Sequence, residues 1–185
     1  MKFKRFFREN SYMMVKLLVT HLCMTIFGIM VFMPFSEQNQ TERFFALALS
    51  VCSVVFYIYL IHIQIWDVGA KDSIDIEAHK RKKNPAKGFI IGLISSTPGI
   101  LLGIAHVVLW YFRVYSQALS KAYIIVALIN SLWEGMFLGI KNVVFGKSFI
   151  YFFLIVPFLP AVFTGISYLI GLKQWRLFKP KAKTK

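Results

Sequence analysis

Four long runs of this chain contain no Asp, Glu, Lys or Arg, and they constrain the fold more than any other feature. The runs are Leu17–Phe35, Phe44–Trp66, Phe89–Phe112 and Phe149–Leu172, with lengths of 19, 23, 24 and 24 residues. A helix rises about 1.5 Å per residue, so roughly 20 residues cross a hydrocarbon core of ~30 Å. The sequence, which is 57% hydrophobic, therefore predicts an all-α integral membrane protein built as a four-transmembrane-helix bundle.

Lysine and arginine are concentrated in three clusters at the ends of these runs. The clusters are the N-terminal segment, the central loop between spans two and three, and the tail 173–185. They hold 17 of the 22 Lys and Arg residues. Short loops that are rich in Lys and Arg remain in the cytoplasm. We therefore expect residues 1–185 to form a single domain of the cell (cytoplasmic) membrane, with both termini and the basic tail in the cytoplasm.

A fifth apolar run, Ala122–Ile140, complicates the span count. If it crossed the membrane, the Lys and Arg residues would divide 13 inside to 9 outside, whereas four spans divide them 17 to 5. Its large apolar residues recur with helical spacing on one face, and Asn130 and Glu134 lie opposite. We predict an amphipathic helix over 122–142, between spans three and four. It would lie at the outer interface, cap the bundle or enter the membrane as a re-entrant segment.

Four polar residues are the candidate functional groups. Glu134 is the only acidic residue inside an apolar run, so Asn130 and Glu134 are the first choice for contact with a polar solute. The alternative is that they form the wet side of an interfacial helix. His21 and His106 are titratable groups on the predicted inward faces, and ionisable residues within a membrane are functional candidates by default. We expect His21 near the inner leaflet and His106 in the outer half.

Small residues form a stripe along the third span at steps of three or four. The stripe consists of Gly88, Gly92, Ser96, Gly99 and Gly103. Membrane helices associate through close packing, and small residues allow their backbones to approach. We interpret the stripe as a helix-packing surface that faces the bundle. Pro98, Pro157 and Pro160 favour kinks in spans three and four.

The central basic run favours contact with lipid. Lys80, Arg81, Lys82 and Lys83 precede the third span by a few residues, where they would meet anionic headgroups on the cytoplasmic side. Nucleic-acid binding is not expected despite the net charge of +14, because the charge flanks membrane spans and forms no folded basic domain.

No pattern in the sequence indicates catalysis, a metal site or a cofactor. No nucleophile and base are paired, and the two cysteines, Cys23 and Cys52, form no CxxC motif. We expect a non-enzymatic accessory or interaction subunit that binds another membrane protein. The alternative is a small-solute or ion transporter or channel that self-associates, because four spans rarely enclose a pathway alone.

Overall fold

The computed structural model describes residues 2–32, 39–79, 82–146 and 149–174, and within these ranges it contains no strand. Of these described residues, 86% are helical. By length and composition, the described part of the chain has three helices able to cross a membrane, or up to five candidate spans if each bent helix pair is one. The all-helical prediction is therefore confirmed, together with the presence of several helices that fit a membrane protein.

The helices differ in their bounds from the predicted spans. They are α1 (Lys2–Phe32), α2 (Gln40–Glu77), α3 (Lys87–Ser95), α4 (Thr97–Phe112), α5 (Gln117–Trp133), α6 (Leu138–Ile140), α7 (Phe152–Ile155) and α8 (Phe158–Leu172). A 3₁₀ turn covers Gly135–Phe137 and a π-helical turn covers Lys141–Phe145. The first helix begins fifteen residues before the predicted span 17–35. The second continues eleven residues beyond Trp66, into what the sequence indicated as loop.

Contacts between the helices fix their directions. Thr20 of α1 accepts a hydrogen bond from Gln64 at 2.9 Å, and His21 contacts Tyr57, so α1 and α2 are antiparallel. Gly88 lies against Tyr168 and Gly103 against Phe153, so α3 and α4 run opposite to α7 and α8.

The same kind of contact shows that α2 and α8 run in the same direction. His62 bonds Ser167 at 3.2 Å, and Gly171, one turn further along α8, lies against Trp66 and Ala70, which are further along α2. Three parts of the chain therefore lie at one end of the bundle. These are the start of α1, the segment between α2 and α3, and the end of α8. We call this end the basic end.

Proline interrupts the third and fourth apolar runs, and the predicted kink in the third is confirmed. Proline has no N–H, so a helix that meets one loses a backbone hydrogen bond. α3 and α4 meet at Ser96, two residues before Pro98, with a bend of 56°. α7 ends at Ile155, and Pro157 directly precedes α8. These breaks bring Ser95, Ser96 and Pro157 to the same interior level as Glu134.

The glycines of the small-residue stripe lie at helix crossings. A Cβ atom at Gly88, Gly92 or Gly103 would collide with Tyr168, Ala161 or Phe153 respectively. A Cβ at Gly99 would lie 2.9 Å from Trp133 Nε1. Since no larger residue fits at these distances, glycine permits α3 and α4 to pack closely against the fourth apolar run and α5.

The predicted single helix over 122–142 is wrong. α5 ends at Trp133, and the chain bends by 81° between Gln117–Trp133 and Gly135–Phe145. Only the first half keeps the predicted apolar outer face, with Ile124 62% and Leu128 61% exposed. Met136 and Phe137, expected on that same face, are buried at 1% and 3% exposure, because the bend turns them into the bundle.

Candidate functional site

The candidate site is the helix break at Glu134, in the middle of the bundle. α5 returns alongside α4 in the opposite direction, since Tyr123 stacks on His106 and Asn130 bonds the Leu102 carbonyl. A Cβ at Gly99, the midpoint of the third apolar run, would lie 3.3 Å from Glu134 Oε1. Glu134 therefore lies at mid-depth in the bundle, and the alternative that it forms the wet side of an interfacial helix is wrong, because the residue is 1% exposed.

Side chains of α1 satisfy the backbone oxygen that the break releases. In an uninterrupted helix the Phe137 N–H would bond to the Trp133 oxygen, but here it donates to the Glu134 oxygen at 2.8 Å. The Trp133 oxygen instead accepts from Thr25 Oγ1 at 2.7 Å and contacts His21 Nε2 at 3.1 Å. A buried carbonyl without a donor would be costly, so these two side chains stabilise the break.

Ser50 of α2 likewise satisfies backbone groups of the broken segment, about one turn beyond Trp133. Its hydroxyl donates to the Met136 oxygen at 2.5 Å and accepts from the Ile140 N–H at 3.4 Å. The hydroxyl is thus inserted between two groups that would bond each other in a regular helix, which is a known cause of helix distortion. Irregular backbone within a membrane is tolerated where protein groups satisfy it, and α1 and α2 supply those groups here.

Glycines on both sides let the break sit directly on α1 and α2. A Cβ at Gly28 would collide with the Met136 backbone, and one at Gly135 with the Ile29 side chain. At Gly139 it would collide with the Ala46 oxygen and lie 2.8 Å from Ser50 Cβ. The close approach is what brings the short Ser50 side chain within reach of the broken segment.

The hydrogen bonds of His21 fix which of its ring nitrogens carries the proton. A carbonyl oxygen only accepts, so His21 Nε2 must donate to Trp133, and Nδ1 of the neutral ring then accepts. The Tyr57 hydroxyl, 3.1 Å from Nδ1, is therefore the donor. The chain of bonds runs from Tyr57 through His21 to the backbone next to Glu134. His21 lies level with the middle of α2, deeper than the inner-leaflet position expected from the sequence.

Glu134 is enclosed, and its carboxyl group has no hydrogen-bond partner among the described residues. The residue is 1% exposed, and neither carboxyl oxygen bonds a described residue. It borders a cavity of about 10 Å³ together with His21, Tyr57, Ser95 and Ser96. A space of this size holds about one water molecule. The cavity places hydroxyl groups and one imidazole around a single carboxyl.

Asn130 and His106 continue the polar interior away from the basic end. Asn130 is 0% exposed, and its amide nitrogen bonds the Leu102 oxygen at 3.0 Å, while its Oδ1 has no described partner. His106 is 4% exposed and packs against the Tyr123 and Phe153 rings, and its Nδ1 bonds no described residue. Lys141 Nζ lies over the Phe153 ring, 4.5 Å from its centroid.

A second polar cluster lies at the basic end. Lys87 Nζ and Asp72 Oδ2 form a buried ion pair at 2.6 Å, and the Tyr168 hydroxyl donates to the same oxygen at 2.8 Å. It connects α2, α3 and α8. Of the predicted headgroup contacts, Lys82 and Lys83 are exposed next to this cluster, whereas Lys80 and Arg81 lie outside the described residues.

Sequence reasoning did not identify Thr25, Ser50 and Tyr57 as functional residues. Their hydrogen bonds depend on where the helix breaks, and no motif marks that position. The pair Asp72–Lys87 was also missed, although two opposite charges bordering neighbouring apolar runs are a usable signal. Among the described residues, no group of three His, Cys, Asp or Glu could hold a metal ion.

Comparison of the chain with protein-family models, curated proteins and solved structures finds no match.

Proposed function

We propose that this chain is a membrane transport protein in which Glu134 binds a proton or a small monovalent cation at the middle of the bundle. The observation that carries the proposal is the enclosed carboxyl, which bonds no residue in the described part of the chain. A bare buried carboxylate is too costly to persist, so it must hold a proton or a positive partner. Ionisable groups within membranes mark ion and proton pathways.

The broken helix supports the same role. Transport proteins commonly form ion sites where membrane helices are discontinuous, because the break exposes backbone groups and polar side chains at mid-depth. Here the break carries Glu134, and the prolines of the third and fourth runs interrupt the facing helices at the same level. Because the helices are interrupted at the same level, the two halves of the bundle can move relative to each other at that level.

The proposed topology has four spans: α1, α2, the bent pair α3–α4, and α7–α8. Residues 117–145 form a re-entrant segment that enters from the outer face and returns to it. The antiparallel course of α5 along α4 supports this, as does the contact of Gly139 with the first turns of α2. With both termini in the cytoplasm, the charge division is 17 to 5. Self-association would complete the pathway.

The decisive experiment measures ion flux in proteoliposomes. Purified protein is reconstituted with a pH-sensitive dye inside, a potassium diffusion potential is imposed, and Na⁺ uptake is measured in parallel. We expect Glu134→Gln, which preserves shape and removes the ionisable group, to reduce ion flux at least about tenfold. The matched control Glu77→Gln removes an exposed carboxylate at the basic end and should leave flux unchanged.

Two results would contradict the proposal. One is flux no greater than in protein-free vesicles under every gradient. The other is a Glu134→Gln variant with the rate of the unmodified protein. Either would favour the competing proposal of an accessory subunit, for which the exposed apolar face of α5 offers a contact surface. Purification in mild detergent would then yield a second membrane protein in fixed stoichiometry.

A further inference from the structure

The basic end contains an open polar cavity of about 260 Å³ that is separate from the cavity at Glu134. Its lining comes from α1, α2, α8 and the segment that precedes α3. Arg5, Lys82 and Lys87 contribute cations, and Glu9 and Asp72 contribute carboxylates. Such a volume suits a small polar group and is too small for most drug-sized ligands.

The charges of the lining leave a surplus of one positive charge. Arg5 pairs with Glu9 at 2.8 Å, and Lys87 pairs with Asp72 at 2.6 Å, which leaves the charge of Lys82 uncompensated within the lining. A phosphodiester carries one negative charge, so it would neutralise this surplus. A phosphate monoester, with a charge near −2, would exceed it.

The donors needed to hold a phosphate remain available after these ion pairs form. A guanidinium has five N–H donors and an ammonium has three, and the pairs with Glu9 and Asp72 occupy one donor each. Asn84 also lines the cavity. Arg5, Lys87 and Asn84 therefore border one space together with Lys82, and charge-assisted hydrogen bonds from such cations are the kind that hold phosphate.

The floor of the cavity lies at the boundary of the apolar runs. Lys87 precedes the third run by two residues, and Tyr168 lies within the last turn and a half of the fourth. Lys87 is 8% exposed, and Tyr168 is 1% exposed. In a membrane this level is that of the lipid headgroups, where surface cations attract anionic lipid.

We propose that this cavity binds the phosphodiester group of an anionic phospholipid such as phosphatidylglycerol. The site is more specific than the general contact predicted for Lys80–Lys83, because it involves Arg5 and Lys87 and excludes Lys83 from its lining. Lipid binding at this cavity is independent of ion transport through Glu134, so either proposal can fail while the other stands.

The test is calorimetric titration of the full-length protein in uncharged detergent with dihexanoyl-phosphatidylglycerol, dihexanoyl-phosphatidylcholine and inorganic phosphate. We expect saturable binding of phosphatidylglycerol and at least about fivefold weaker binding of the other two. Arg5→Gln and Lys82→Gln should each weaken phosphatidylglycerol binding about fivefold, the order expected for loss of a charge-assisted hydrogen bond.

Neighbouring cations provide matched controls. Lys4→Gln and Lys83→Gln remove equally exposed charges that do not line the cavity, and they should change the affinity less than twofold. Equal losses from all four variants would show unspecific attraction and overturn the site. Equal binding of phosphatidylcholine, or tighter binding of inorganic phosphate, would overturn the assignment to an anionic lipid. All four positions are exposed, so folding should be unaffected, which unchanged thermal unfolding would verify.

Discussion

The Trp133 carbonyl accepts hydrogen bonds from two side chains. We therefore predict that the losses of stability caused by removing each of these bonds are not additive. Thr25→Val keeps the shape of the side chain and removes the hydroxyl bond of 2.7 Å. His21→Phe keeps an aromatic ring against Tyr57 and Trp133 and removes the 3.1 Å contact of Nε2. Each single variant leaves the carbonyl with one donor, and the double variant leaves it with neither.

The expected magnitudes follow from this count of donors. Hydrogen bonds between membrane helices average about 0.6 kcal/mol in double-mutant cycles, so Thr25→Val alone should lower the free energy of unfolding by that order. A buried carbonyl with no donor costs about 1–3 kcal/mol. In the His21→Phe background, Thr25→Val should therefore cost more, with a coupling energy of about 0.5–2 kcal/mol.

The assay is reversible unfolding in mixed micelles, followed by far-UV circular dichroism, for the protein, both single variants and the double variant. The cycle compares one substitution in two backgrounds, so the steric cost of Phe cancels. Thr97→Val is the control, because this hydroxyl bonds the Leu93 oxygen of its own chain segment on an exposed surface. Its cost should be the same in both backgrounds.

Additive costs at Thr25 and His21, within about 0.3 kcal/mol, would refute the assignment of the shared carbonyl. They would mean that the break at Glu134 is held in some other way, and the position of the carboxyl would lose its main structural support.

Three further predictions concern packing, charge and topology. Gly139→Ala should destabilise the protein by roughly 1–3 kcal/mol more than Gly165→Ala in the same unfolding assay. The reason is that a Cβ atom at Gly139 collides with backbone, whereas one at Gly165 lies 3.3 Å from its nearest neighbour. Equal costs of the two substitutions would contradict the packing. Lys87→Met should cost about 1.5–3 kcal/mol, the order of one hydrogen bond to a charged group, because it removes the 2.6 Å bond from Lys87 to the buried Asp72 carboxylate. The double variant with Asp72→Asn should regain part of this loss, and no recovery would contradict the pairing. The topology can be tested with single cysteines in a background without Cys23 and Cys52. A cysteine at position 118 should react with an impermeant maleimide added outside intact cells, and one at position 83 should react only after permeabilisation. Labelling of both positions from the same side would contradict the topology.

The sequence predicted the helical class and the main apolar segments because both depend on properties of single runs. Absence of charge over about 20 residues predicts a long apolar helix whatever packs around it, and Pro98 predicts a bend because it removes a donor from its own helix. The glycines of the third run could be assigned to a packing surface for the same reason, since their spacing places them on one helix face.

The candidate site could be predicted only in part. Glu134 and Asn130 were identified because polar residues in an apolar run are exceptional. Their depth and surroundings were predicted incorrectly, because periodicity assumes an uninterrupted helix. The break at Glu134 has no proline and depends on Ser50, Thr25 and His21, which lie between 84 and 113 residues away in the sequence. Only contacts at that range can make an irregular backbone stable in an apolar interior.

The sequence by itself determined that this chain is helical and apolar, and that its basic residues flank the apolar segments. These outcomes follow from local hydrogen bonding and from the cost of placing charge in hydrocarbon. The tertiary structure alone decided that the chain bends by 81° between Gln117–Trp133 and Gly135–Phe145, and that Glu134 is buried within the bundle. It also decided that Asp72 and Lys87 pair at the basic end. The physical reason is that each of these features is a balance between polar groups of different helices, and that balance is absent from any single segment.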